Sequence, residues 1–285
     1  SVIFEDCTIS DNRGKIGQSN AQNGKGSSLV FRRCHWARSV MGFETFDTSV
    51  LLEDSYITDM LGAYREDNVT DDNDAIYLHE ARPGQELILK NVTVAYMDDD
   101  GIDTLGADVL AEGVICRNCS DKGISVFGGS LQLNGGLLVD NDIGISAKDD
   151  ADVVLNNVTV SGNNGVGIQV ENKDGDDDPS RYTVNGRILW GNGLSARTDY
   201  GDEDIVVNGS IVEGGWELNQ SLDPLFRNSE TGDFRLSENS PAIGAGDEGD
   251  IGAFSLGCGE AFYPPVAGDL AIEVLEDTEY HGILP

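Results

Sequence analysis

The chain has 285 residues, with 51 Asp and Glu against 18 Lys and Arg, a formal net charge of −33. That balance argues against a nucleic-acid binder, which needs clustered Lys and Arg to meet phosphates, and against docking on anionic lipid. No apolar run approaches the ~18 residues of a membrane-spanning helix, yet apolar residues recur in short regular runs, unlike a disordered chain.

In chain order, one short pattern returns nine times: an apolar residue, two polar ones, a small residue and a return to apolar. Its copies begin at Phe4, Phe31, Leu52, Leu89, Ala111, Leu133, Leu155, Val184 and Val207, most of them about 22 residues apart. A second pattern runs in phase with it, at Asp74-Ala-Ile-Tyr, Asp100-Gly-Ile-Asp, Lys122-Gly-Ile-Ser, Ile143-Gly-Ile-Ser and Val166-Gly-Ile-Gln, with a weaker copy at Met41-Gly-Phe-Glu. Each copy holds short strands split by Gly, Asn or Asp turns. A helical solenoid would need amphipathic windows of ten or more residues, and a leucine-rich repeat its fixed leucine frame; neither is present.

A fixed period of short strands predicts an all-β solenoid, a parallel β-helix of about nine or more rungs stacked at about 4.8 Å. Ile76, Ile102, Ile124, Ile145 and Ile168 then form one internal stack. Ala75, Gly101, Gly123, Gly144 and Gly167 line a bend where a Cβ fits poorly. The expected organisation is rungs over 1–215, a closing segment at 216–256 that caps the C-terminal end, and a linker with the start of a further module at 257–285. Both ends read as those of a piece cut from a longer chain. Gly/Asn-rich and acidic insertions at 10–28, 59–73 and 172–181 are expected to be loops on one side.

These rungs resemble the right-handed parallel β-helix superfamily of pectate lyases and their relatives. The stretch Asp98-Asp-Asp-Gly-Ile-Asp103 with its two following copies also resembles β-helix modules of large bacterial surface proteins. Asp223-Pro-Leu-Phe, Ser240-Pro-Ala-Ile-Gly and Asp250-Ile-Gly-Ala are similar to the closing segment of many secreted bacterial β-helices.

In the stacked arrangement Asp74 lies one rung before Asp100, and Lys122 one rung after it. Carboxylates brought so close repel unless a cation or a proton intervenes. Calcium, a hard ion that takes 6–8 oxygens, is the expected cofactor, with Asp74, Asp99, Asp100 and Asp103 as its ligands. The resemblance implies an Asp-Asp-Gly-x-Asp turn that holds calcium against a substrate uronate while a lysine removes a proton. Lys122 or Lys148 would be that base. A lysine beside carboxylates is a poor base, however, so Lys122 also reads as a counter-ion for the stacked Asp side chains. Arg65, His79 and Arg82 flank the insertion around Asp74 and are candidates to bind an acidic sugar, with Tyr77 to stack on it.

The leading expectation is an extracellular or cell-surface module that binds calcium and polysaccharide or another surface glycan, beside neighbouring modules of the same chain, with no nucleic acid and no membrane insertion. The alternatives are a calcium-dependent polyuronate lyase acting by β-elimination and a filament-forming subunit. Cys7 and Cys34 share a repeat position, close enough for either a disulfide or a pair of free thiols. Six Asn-x-Ser/Thr sequons occur, and the repeat itself generates such triplets.

Overall fold

A computed structural model describes residues 1–20, 26–64, 73–175, 180–201, 204–215, 219–246 and 249–253. The expected linker and further module at 257–285 lie outside them, as do Arg65 and Cys258. The chain forms a parallel β-solenoid of about eight turns. One wall is an eight-stranded parallel sheet built from Lys15–Asn20, Met41–Phe46, Ile76–His79, Ile102–Leu105, Lys122–Phe127, Ile143–Lys148, Val166–Glu171 and Leu194–Thr198, in sequence order. The rest of the wall is a 13-stranded parallel sheet whose longest strands, such as Thr48–Met60 and Asp108–Cys119, bend midway. The strand Lys15–Asn20 falls inside the 10–28 insertion that the sequence assigns to a loop. Lys15 pairs with Met41 and Gly17 with Phe43, so part of that insertion is a rung.

The bend explains the repeat. The third residue of the first pattern is Asp6, Arg33, Asp54, Asn91, Gly113, Gly135, Asn157, Gly186 and Gly209 in successive copies, and every one has φ between 49 and 66°. Only Gly, and to a lesser extent Asn and Asp, enter this left-handed region at little cost. This requirement also yields Asn-Val-Thr at Asn91 and Asn157.

The isoleucines stack as expected. Ile76, Ile102, Ile124, Ile145 and Ile168 pair in register on successive strands, and each is at most 2% exposed. The glycines one position before Ile102, Ile124 and Ile145 turn the chain into that sheet: a Cβ at Gly144 would lie 2.6 Å from both the Gly167 carbonyl oxygen and Val160 Cγ1. Gly144→Ala is therefore expected to lower stability by about 1–3 kcal/mol through overpacking against backbone, read as a lower denaturation midpoint; an unchanged midpoint would mean that the rungs separate freely at this bend.

A second stack lines the inside of the turn that leads into the sheet. Asn141, Asn163 and Asn192 hydrogen-bond from rung to rung. The Asn163 Oδ1 accepts the Asn141 backbone N–H at 3.1 Å, and its Nδ2 donates to the Leu138 carbonyl at 3.0 Å.

The described residues of the closing segment from Phe226 onward lie against the flank of the solenoid. Its hairpin, Phe226–Asn228 with Asp233–Leu236, packs Phe234 onto Ile115, Leu137 and Val139, while Leu236, Ala242 and Ile251 cluster with Ile188 and Ile211. Gly252 N–H donates to the Gly186 carbonyl, and Ala253 N–H to Thr159 Oγ1. The segment thus runs along the flank, because these outward positions are apolar and need a cover. At the end of the stack Ile211 bridges to Gln220, and Asn219 accepts the Ser210 N–H at Oδ1 and donates from Nδ2 to the Val207 carbonyl.

Candidate functional site

Strand alternation puts Ile76 and Leu78 in the lumen and turns Tyr77 and His79 outward. The outer face of the eight-stranded sheet therefore carries rows of equivalent side chains. One row reads Glu44, Tyr77, Asp103, Ser125, Ser146, Gln169 and Arg197. The next reads His79, Leu105, Phe127, Lys148 and Glu171.

Just ahead of these rows, at the entry to the strands, the acidic residues converge as the stacking model expects. The Asp74 Oδ1 accepts the Asp100 backbone N–H at 3.1 Å, and the Asp100 Oδ1 accepts the Lys122 backbone N–H at 2.9 Å. Asp74, Asp99 and Asp100 each offer a carboxylate oxygen, and these oxygens lie within 4.8 Å of one another. Asp74 and Asp100 are buried, at 3% and 6% exposure. Asp103 stands outside this trio, one strand position into the sheet between Tyr77 and Ser125. Asp98 does different work: its Oδ2 accepts the Gly62 N–H and anchors the short turn Gly62–Tyr64.

Burial, then the charges of Asp100, Asp103 and Asp99, push the Asp74 carboxyl up to about 9. Burial also pushes Asp100 up to about 7, although the Lys122 ammonium partly offsets it. Both shifts arise chiefly from burial, so ionising these carboxyls in the fold is costly without further positive charge.

Lys122 supplies part of that charge. Its Nζ lies 3.5 Å from Asp100 Oδ1 and bonds Asp121. Burial alone would lower its pKa, but the Asp100 and Asp121 carboxylates prevail and raise it. This is the geometry of a counter-ion, and a protonated amine takes no proton. Lys148 is buried and donates from Nζ to Ser125 Oγ at 2.9 Å, two strands along the sheet from Asp103.

The proposed sugar-binding residues part company. His79 Nε2 lies 3.1 Å from Glu44 Oε1, and its ring stacks on Phe46 at 3.7 Å and tilts against Tyr77 at 4.3 Å. Phe46, His79 and Leu105 border a cavity of about 300 Å³ with Asp47 and Glu80. Arg82 bonds Asp47 at 2.9 Å, beside that cavity. Glu44 lies on the ladder of Tyr77 and Asp103, as the stacked register implies, and Phe46, two residues further on, shares its outward face without a mark in the sequence pattern. Cys7, Cys34, Cys116 and Cys119 are all free thiols.

A stacked parallel solenoid with a polar outer face defines the class of the molecule. The family model described as a right-handed β-helix region matches residues 69–216, just over half of the chain, and the chain belongs to that family. No curated protein and no solved structure matched the chain.

Proposed function

We propose that the chain is a calcium-binding β-helix module that carries polysaccharide along the outer face of its eight-stranded sheet, as part of a secreted or surface protein. The carrying observation is the convergence of Asp74, Asp99 and Asp100 within 4.8 Å at the head of a face on which Phe46, Tyr77 and His79 are half-buried. Calcium suits an all-oxygen donor set. It would discharge the two buried carboxyls and leave coordination positions for a sugar carboxylate, which the charge of −33 would otherwise repel. Asp74 and Asp100 would hold the ion from beneath, with the more accessible Asp99 at the rim. The few carboxylates supplied fit the weak sites of extracellular modules, with affinities of about 10⁻⁴–10⁻³ M.

Calorimetric titration with calcium, then with polygalacturonate in the presence and absence of calcium, tests this reading. The expected result is calcium binding to the wild type and polymer binding only with calcium. Polymer binding that ignores chelator would place the glycan elsewhere. Release of unsaturated uronate, lost in Lys122→Ala, would replace the binding reading with the lyase.

A further inference from the structure

On the other sheet, away from the acidic trio, a second ladder of amides runs along the outer surface. Asn156 Nδ2 donates to Asn134 Oδ1 at 2.8 Å, Asn185 Nδ2 to Asn156 Oδ1 at 3.2 Å, and Asn208 Nδ2 to Asn185 Oδ1 at 3.5 Å. These residues are equivalent positions on paired strands. Each link uses one of the two N–H groups of its donor amide and one of the two lone pairs of its acceptor. Every amide in the middle of the ladder therefore keeps a donor and an acceptor outside it, repeated at the strand spacing of about 4.8 Å.

The ladder does not simply face bulk solvent. The flank segment returns beside it, and a cavity of about 310 Å³ lies between Asn156, Asn185 and Asn208 on one side and Ala245, Gly246 and Asp250 on the other. Gly186 and Gly209, the left-handed residues of their bends, also line it and leave backbone bare of side chains. The volume sits at the lower end of small-ligand sites.

We propose that this crevice is a binding site for a neutral sugar unit, separate from the acidic trio and independent of the calcium reading. The chemistry of the lining selects the ligand. Among the described residues no Lys, Arg or His lines it, so none of them compensates an anion. Among the described residues its lining holds one carboxylate, Asp250, whose Oδ1 accepts the Gly244 N–H at 2.8 Å, little charge for a divalent cation. An apolar ligand would leave the amides unpaired at a cost. A hydroxyl both donates and accepts, so vicinal hydroxyls of a sugar ring pair with both functions of an amide. Gly186, Gly209, Gly246 and Gly249 add backbone bare of side chains to the wall.

Side-chain amide resonances of Asn156, Asn185 and Asn208 report on the site directly. They are followed while methyl glycosides of glucose, galactose and mannose are titrated, with calcium chloride and galacturonate as separate titrants. The expected result is saturable shifts of these amides with a neutral glycoside in the millimolar range, and none with calcium. Affinity should fall about tenfold in Asn185→Ala, the loss of about one well-made pair of hydrogen bonds. Asn208→Ala guards against a folding defect: it sits exposed at the end of the ladder, where the link is longest, and it should weaken the same glycoside. Unmoved amides with all three glycosides, equal binding by both variants, or shifts caused by calcium or galacturonate would each overturn the proposal.

Discussion

Asp74→Asn is expected to raise the melting temperature of the metal-free protein by roughly 5 °C at pH 8 and to abolish its stabilisation by calcium. The substitution keeps the oxygen that accepts the Asp100 N–H and removes a buried carboxyl. In the unfolded chain Asp74 and Asp100 release their protons near pH 4, whereas in the fold they hold them up to about 9 and about 7. The unfolded state binds fewer protons across that interval, so stability of the metal-free wild type falls as pH climbs from about 4 through both folded values. Each pKa unit corresponds to about 1.4 kcal/mol, of which relaxation and water entry recover part. A net gain of about 2 kcal/mol for the asparagine shifts the melt by roughly 2–4 °C per kcal/mol in a protein of this size. Calcium reverses the order of the two proteins. At about a hundredfold above its dissociation constant a ligand adds about 2.7 kcal/mol to the form that binds it, and only the wild type has the full donor set. Melting curves at pH 5 and pH 8, with calcium and with chelator, check both signs. An Asp74→Asn protein less stable than wild type under chelator would mean that the carboxylate already has a compensating partner.

The second large effect is expected at the inner asparagine stack. Asn163→Ala should cost about 3–5 kcal/mol and lower the denaturant midpoint accordingly. Asn163 is 1% exposed, and its amide joins three rungs: it accepts from the Asn141 N–H and Nδ2 and donates to the Leu138 carbonyl and to Asn192 Oδ1. Truncation leaves the Asn141 N–H and the Leu138 carbonyl buried without partners, at about 1–3 kcal/mol each. No other rung can substitute, because rungs in a solenoid contact only their neighbours. A loss below about 1 kcal/mol would mean that water enters the turn and replaces the amide.

The fold was legible because the repeat writes one geometric demand again and again. The isoleucine ladder and the Gly positions before it follow directly from strands that must stack with one side inward. The convergence of Asp74, Asp100 and Lys122 followed from the same register. So did the ladder of Asp103, with Tyr77 before it and Ser125 after it, but not its separation from the acidic trio. Its spacing from Asp100 matches the motif, but strand alternation carries it along the outer face, while Asp99 stays at the entry turn. The strand Lys15–Asn20 was hidden because Gly17 and the polar residues around it lack the apolar marks of the other rungs. The path of the closing segment was hidden for another reason. Ile115, Leu137 and Val139 are apolar like the lumen residues, and they follow the bends at Gly113 and Gly135 to lie where Phe234 covers them. The two asparagine ladders repeat at the spacing of the rungs, so their positions were available in the sequence. Their roles were not, since Asn also marks turns.

Anomalous diffraction from a crystal soaked in calcium tests the central claim most directly. A peak about 2.3–2.6 Å from carboxylate oxygens of Asp74, Asp99 and Asp100 is the predicted result. Empty density there at saturating calcium, with Asp74 and Asp100 held together as protonated carboxyls, would contradict it.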